Sequence, residues 1–248
     1  MIDNASISPV QVLTPKFTVI AGVTRHRKQL DRKRNYFLFK RLFDVVFSFV
    51  FIVTVLSWLL PVLCLLIRLG SKGPVLFRQK RVGRGGRSFI CYKLRTMVIN
   101  EEADSRQASE NDTRITALGW FLRKSNIDEF PQFFNVLKGE MSVIGPRPHM
   151  YADCNQFAAV MPGYKFRNLV KPGVTGLAQI KGYHGPTTTK NAMLMRYHWD
   201  SYYIHNIGLL LDAKIILYTI FQRFISVAAY AAQPFQPGKG HTKEILPN

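Results

Sequence analysis

Asp128 and Glu129 stand side by side in the run SNIDEFPQFFNVLKGEMSVIGPR, from Ser125 to Arg147. Pro131 lacks an N–H, so it fits a first helical turn, where backbone donors have no intrahelical partner anyway. The spacing predicts a helix from about Asp128 to Lys138, stopped by Gly139 in the left-handed region. Phe130, Phe133, Phe134 and Leu137 then share one buried face. The two acids lie at the positive end of that helix, beside free N–H groups, a place that suits carboxylates and phosphates alike. Taken alone, acids there are ordinary caps. Further on, Gly145-Pro146-Arg147-Pro148 is stiff, because each proline fixes its own φ and restricts the residue before it. A guanidinium held this way suits planar recognition of phosphate, or else simply closes a tight turn. Lys93 and Arg95, separated by one residue, fall on the same side of a predicted strand.

Several elements must position these groups. Two β-prone runs flank Gly83-Arg84-Gly85-Gly86 and predict a hairpin that carries Lys93. Its glycines lack the GxGxxG spacing of a dinucleotide fingerprint. Residues 100–111 read as a short helix or a loop. Thr113 to Lys124 reads as a helix with Ile115, Leu118 and Leu122 inward and Arg123 near its end. Residues 151–169 read as helical, Lys171-Pro172-Gly173 as a turn, and the run after it as a short strand and loop. Residues 190–206 and 208–226 carry helical periodicity, the second either lying in a membrane interface or closing the core.

Charge narrows the partners. Among 248 residues, 34 Lys and Arg face 15 Asp and Glu, a net +19. Such an excess points to anionic partners: nucleic acid, anionic lipid or phosphorylated substrates. Cys64, Cys91 and Cys154 are widely spaced and read as buried thiols in a reducing compartment, not as a disulfide framework or a zinc site.

Val45 to Ile67 gives 23 consecutive uncharged, mainly apolar residues. As one helix they span ~35 Å, enough to cross a bilayer. A basic run precedes them, and from Arg68 to Met97 there are nine Lys and Arg and no acid. Both flanks therefore prefer the cytoplasmic side, which favours a helix that bends and returns over one that crosses. Ser57 and Pro61 supply the means: a hydroxyl that bonds back to a carbonyl, and a missing donor.

In order along the chain, KRLFD (40–44), GPVLFRQKRVG (73–83), YKLRTM (92–97), LRKSNIDEFPQFFNVLKGEMSVIGPRP (122–148), KPGVTGLAQIKGY (171–183) and WDSYYIHNIGLLLDAKII (199–216) resemble the bacterial sugar transferases, monotopic phosphoglycosyl transferases that begin capsule and exopolysaccharide synthesis. The resemblance implies an α+β monotopic membrane protein: a re-entrant membrane helix at about 42–69, a small β-hairpin, and amphipathic interfacial helices around a cytoplasmic active site. It implies a transferase domain over 36–230, between an N-terminal extension (1–35) and a loose tail (231–248), at the bacterial inner membrane. Longer relatives carry extra membrane helices and an N-terminal domain, so the chain is expected to be the catalytic unit alone. By the same resemblance Asp128 is the nucleophile and Glu129 helps hold Mg²⁺. Lys93, Arg123 and Arg147 match active-site positions, Arg95 a basic motif position, and Asp200 and Asp212 motif acids that are either functional or structural. The implied reaction moves hexose 1-phosphate from a UDP-hexose to undecaprenyl phosphate. Anionic membrane lipids are expected as partners, a homo-oligomer is open, and nucleic acid is not expected.

Two departures stand out. Family members commonly carry an adjacent Ser-Pro at the membrane bend, whereas Ser57 and Pro61 are separated here. The loop Gly182 to Thr187, with His184, looks closer to relatives that transfer glucose 1-phosphate, which makes glucose or galactose the expected sugar. Two other classes compete: a basic nucleic-acid-binding protein, which the apolar run argues against, and a non-catalytic membrane adaptor, which the retained Asp128, Glu129 and Arg147 argue against.

Overall fold

A computed structural model describes residues 27–99, 112–161, 163–183, 185 and 189–231. The expected elements before residue 27, at 100–111 and after residue 231 lie outside these, as do His184, Pro186 and Thr187.

The apolar run forms one long helical element, Arg34–Gly70, in three parts. Helix α1 (Arg34–Phe51) passes through a π-helical turn (Ile52–Leu56) into α2 (Ser57–Gly70). It starts earlier than the expected residue 42 because its basic first turns find acceptors. Lys33 Nζ donates to the Ile207 carbonyl at 2.6 Å, and Lys40 Nζ pairs with Asp212 Oδ2 at 2.7 Å. The irregular turn also falls just before the expected bend. Thr54 Oγ1 donates to the Val50 carbonyl and Ser57 Oγ to the Val53 carbonyl, at 2.7 and 2.6 Å, while Pro61 sits inside α2. Hydroxyls that bond back to the preceding turn ease a local widening of the helix.

One face of this element packs along its whole length. The Phe51 ring lies 4.4 Å from Phe133 and 5.0 Å from Phe130, centroid to centroid. Leu56 is fully buried at the middle, and Leu63 and Ile67 pack with Leu94 and Leu122 near the end. The opposite face leaves Phe39, Phe49, Val53, Trp58 and Leu65 exposed.

Strands β1 (Leu76–Val82) and β2 (Ser88–Leu94) form the expected antiparallel hairpin, pairing Leu76 with Leu94 and Val82 with Ser88. Its tip turns through Gly85 and Gly86 at φ +67° and +80°, values that favour glycine. Helix α3 spans Ala117–Ser125, four residues later than expected at its start. There Thr116 caps it, its Oγ1 accepting from the Gly119 N–H at 3.0 Å. A 3₁₀ turn (Ile127–Glu129) and α4 (Gln132–Lys138) follow, and Gly139 stops α4 at φ +84° as expected.

Of the expected buried face only Phe133 is buried, Phe130, Phe134 and Leu137 being half-buried, while Gln132 and Asn135 on the polar side are buried. Asn135 explains this: its side chain accepts from the Tyr92 N–H and donates to the Ile90 carbonyl and Glu140 Oε2, tying α4 to the edge of β2. Short strands β3 (Ser142–Ile144) and β4 (Gly173–Thr175) pair in parallel. A Cβ at Gly173 would stand 2.0 Å from the Gly145 nitrogen, so only glycine permits this approach. The expected 151–169 helix is broken: α5 (Tyr151–Val160) ends before Gly163, at φ +84°, and a 3₁₀ run (Tyr164–Leu169) follows. Helices α6 (Leu177–Ile180), α7 (Lys190–His205) and α8 (Leu209–Ala231) complete the described chain. Ile215 of α8 is fully buried while Leu210, Leu217 and Phe221 are exposed. All three cysteines are free.

Candidate active site

The hairpin, the turn between α3 and α4, and the proline-bracketed loop after β3 converge on the acidic pair. Lys93, at the end of β2, places Nζ 2.6 Å from Glu129 Oε1. Arg147 grips the same carboxylate with both arms, Nη2 to Oε1 at 2.6 Å and Nη1 to Oε2 at 3.0 Å. This is the fork geometry that a planar guanidinium makes with a carboxylate. Burial alone would raise the Glu129 carboxyl, but Arg147 and then Lys93 outweigh it and hold it well below the usual range.

Asp128 sits differently. It is 6% exposed, and its Oδ1 is buried with no hydrogen-bond partner among the described residues. It caps neither the 3₁₀ turn nor α4, so the ordinary role of an acid in a first turn is not the one it plays here. Burial, and next the Glu129 charge, push its carboxyl up to about 6, against the pull of Lys93, Arg123 and Arg147. A buried, unpaired carboxylate is costly, and groups of this kind cluster where they react or bind. Arg123, at the end of α3, faces it and is braced by its Nε donating to Thr96 Oγ1 at 2.9 Å.

Arg95 does not join this group. The chain leaves the ladder after Leu94, so the expected shared side with Lys93 is lost. Its guanidinium turns to the end of α2, donating to the Lys72 carbonyl, to the Ser71 carbonyl at 2.7 Å and to the Ile67 carbonyl at 3.4 Å. The Ser71 and Lys72 carbonyls lie just past the end of α2, while the Ile67 carbonyl also accepts from the Ser71 N–H at 3.1 Å. Asp200 and Asp212 are framework acids: Asp200 pairs with Arg167 at 2.6 Å, and Asp212 takes Lys40, Tyr36 and Tyr203.

Sequence reasoning passed over Arg167. Its Nη2 donates to the Arg147 carbonyl at 2.7 Å while Asp200 holds the same guanidinium, so it pins the backbone behind the fork. No local spacing marks it, since its partners lie 20 and 33 residues away. His149 was also missed. It is buried among Arg81, Arg147, Arg167 and Arg196, and burial first, then these charges, hold it well below its usual value. Arg196 Nη1 approaches its Nε2 at 3.4 Å, and Tyr164 Oη lies 2.5 Å from its Nδ1.

The donor set fits a Mg²⁺ of one kind. Among the described residues no group of three or more His, Cys, Asp or Glu could cage an ion. Mg²⁺ commonly takes only one or two carboxylates, completing its shell with substrate phosphates and water. Asp128 Oδ1 is free of partners and Glu129 Oε2 accepts a single hydrogen bond, which leaves lone pairs for such an ion. The arrangement therefore offers an unpaired carboxylate, a second one held ionised, and three cations able to face a diphosphate.

Residues 35–226 match the family described as bacterial sugar transferase. A Klebsiella pneumoniae UDP-glucose:undecaprenyl-phosphate glucose-1-phosphate transferase is 45% identical over 194 residues, covering 78% of this chain and 42% of that protein. An Aeromonas hydrophila UDP-N-acetylgalactosamine-undecaprenyl-phosphate N-acetylgalactosaminephosphotransferase is 42% identical over 186 residues, 75% of this chain and 43% of the relative. The exopolysaccharide production protein PSS of Rhizobium leguminosarum bv. phaseoli is 41% identical over 186 residues, 73% of this chain and 92% of the relative. The chain thus spans about two fifths of the length of the first two.

Proposed function

The chain belongs to the bacterial sugar transferase family, and from that premise we propose that it moves hexose 1-phosphate from a UDP-hexose to undecaprenyl phosphate through a phosphosugar-aspartyl intermediate. One observation carries the reading: Asp128 is buried and unpaired amid the charges of Lys93, Arg123 and Arg147. An Asp128 oxygen attacks the β-phosphorus of the donor. The bond from that phosphorus to the bridging oxygen breaks, and UMP leaves with the oxygen and the electron pair. A phosphate oxygen of the lipid acceptor then attacks the same phosphorus and displaces the Asp128 carboxylate. Lys93, Arg123 and Arg147 face the negative charge that builds on the diphosphate, and Arg147 is preorganised because Arg167 holds its carbonyl. Glu129, together with the donor phosphates, would hold a Mg²⁺, and the ion would supply further charge neutralisation there.

We further propose that the enzyme sits at the cytoplasmic face of the inner membrane, entered but not crossed by the long helix. The start, middle and end of that helix all pack on one body, through Lys40, Phe51 and Ile67, a pattern that supports a re-entrant element. The exposed apolar faces of α1, α2 and α8 supply the surface that meets lipid. Glucose or galactose is the sugar we assign. The reading is tested by UMP release from UDP-glucose, UDP-galactose and UDP-N-acetyl sugars with undecaprenyl phosphate. Incubation with donor alone should add a hexose phosphate to the peptide bearing Asp128. Product formed with no such adduct would refute the covalent route.

A further inference from the structure

A cavity of about 100 Å³ lies between α1, the hairpin tip, the turn entering β4 and α7. None of its lining residues belongs to the Asp128 group. Its charged side chains are Lys40, Arg41, Asp44, Arg84 and Lys171. Lys40 is spent on Asp212, and Asp44 accepts from the Val143 N–H at 2.9 Å and from Ser142 Oγ at 3.0 Å. Arg41 is held rigidly by the Val136 and Leu137 carbonyls at 2.7 and 2.9 Å, which orient its charge without neutralising it. Arg84 and Lys171 have no hydrogen-bond or ion-pair partner among the described residues. A Cβ at Gly139 would stand 3.5 Å from both Arg41 Nη2 and Lys171 Nζ, so these two cations crowd the same glycine. The half-buried Lys171 amine is lowered by burial first and then by Arg41, with Arg84 adding to it against Asp44. Three cations thus meet around one acid, in a space of about three water volumes. The excess positive charge calls for an anion.

Depth along α1 says where such an anion comes from. Phe37, Lys40, Arg41 and Asp44 face the cavity, while Leu38, Phe39 and Leu42 of the same turns are exposed apolar side chains. These are the turns at which the helix passes from charged to apolar surface, the depth at which lipid phosphates lie.

We propose that Arg41, Arg84 and Lys171 form a second phosphoryl-binding pocket, separate from the Asp128 site, that takes one singly charged or doubly charged phosphate group. A phospholipid headgroup and free phosphate share that chemistry. Arg41 and Lys171 would contact the phosphoryl oxygens from within, and the exposed Arg84 would close over them from the hairpin tip. Binding would tie α1 to the hairpin at the membrane surface.

The test reads binding, not turnover, so it stands or falls apart from the transferase reading. The full chain is stripped of lipid in neutral detergent and its unfolding midpoint followed during titration with inorganic phosphate, short-chain phosphatidylglycerol or short-chain phosphatidylcholine. Phosphate or phosphatidylglycerol should raise the midpoint by about 5 °C or more at a hundredfold excess over Kd. The Asp128→Asn variant should show the same rise, Arg84→Gln combined with Lys171→Gln should abolish it, and Lys171→Arg with native Arg84 should keep it. Because Arg84 is on an exposed turn, Arg84→Gln alone serves if the double variant fails to fold, and should weaken binding about tenfold. A response to phosphatidylglycerol alone assigns a lipid headgroup, and a response to both ligands assigns the phosphoryl group itself. A response to phosphate alone assigns a soluble anion. No rise with any ligand, an equal rise with phosphatidylcholine, or a rise that survives loss of both cations would overturn the proposal.

Discussion

Arg223 of α8 donates through Nη1 to the side-chain oxygen of Asn126, two residues before Asp128. Asn126 is the one non-glycine residue at positive φ (58°) among the described residues. Its N–H closes the end of α3 on the Arg123 carbonyl, and its carbonyl accepts from the Glu129 N–H at 3.2 Å. The turn that aims the acidic pair is therefore held from a helix 97 residues away. Replacing Asn126 with Ala should combine left-handed strain with loss of the Arg223 contact, lowering the rate of UMP release by about ten- to a hundredfold. Asn126→Gly relieves the strain alone and should lie between Ala and the parent. Steady-state kinetics on the three proteins checks the order, and equal rates for all would dismiss the turn's importance.

The two acids should respond oppositely to loss of charge. Asp128→Asn removes a buried carboxylate without a partner, so it should abolish turnover while leaving thermal stability unchanged or raised. Glu129→Gln leaves Lys93 and Arg147 facing a neutral amide. It should cost about 2–3 kcal/mol, below the usual figure for a fully buried pair because both cations keep some solvent contact. Thermal unfolding in one detergent measures both, and a destabilised Asp128→Asn protein would contradict the unpaired assignment.

His149 sets a pH dependence of stability. Its folded value lies well below the usual 6.5, so below pH 6.5 the unfolded chain takes up a proton that the folded chain refuses. Stability from this group is then complete above pH 6.5 and is lost as pH falls toward the folded value, by up to about 1.4 kcal/mol per pH unit. The difference in unfolding midpoint between the parent and His149→Gln should narrow as pH drops from 7 to 5. A difference independent of pH would mean that His149 takes up its proton at the same pH in the folded and the unfolded chain.

Arg95 should behave as a brace for the long helix, not as a donor-binding group. Arg95→Gln leaves the Ser71 and Lys72 carbonyls just past α2 short of a partner and should cost about 1–2 kcal/mol. KM for the UDP-sugar should stay within about twofold in the fraction that folds. A tenfold rise in KM without lost stability would return Arg95 to the donor site.

Much of this architecture is legible in the sequence. The hairpin, the stop at Gly139 and the helix expected over 208–226 follow from glycine placement and apolar content, which act over a few residues, whereas the helix found at Lys190–His205 buries Arg196 and Asp200 along with its apolar side chains. The break at Gly163 and the late start of α3 at Thr116 were not legible. In each a single cap or left-handed residue overrides a continuous apolar pattern. Lys93 and Arg95 show the same limit: alternation predicts one shared side only while the strand lasts, and it ends between them.

By itself the sequence determined which chemical groups are present and which neighbours each must have: adjacent acids near a proline, an arginine between two more, a long apolar helix with basic flanks. Tertiary structure alone decided which acid is free. Lys93, 36 residues away, and Arg147, 18 residues away, both settle on Glu129 and leave Asp128 without a partner. That choice depends on how β2 and the loop after β3 approach the turn, because charges separated along the chain select among partners only once folding has brought them within a few ångströms.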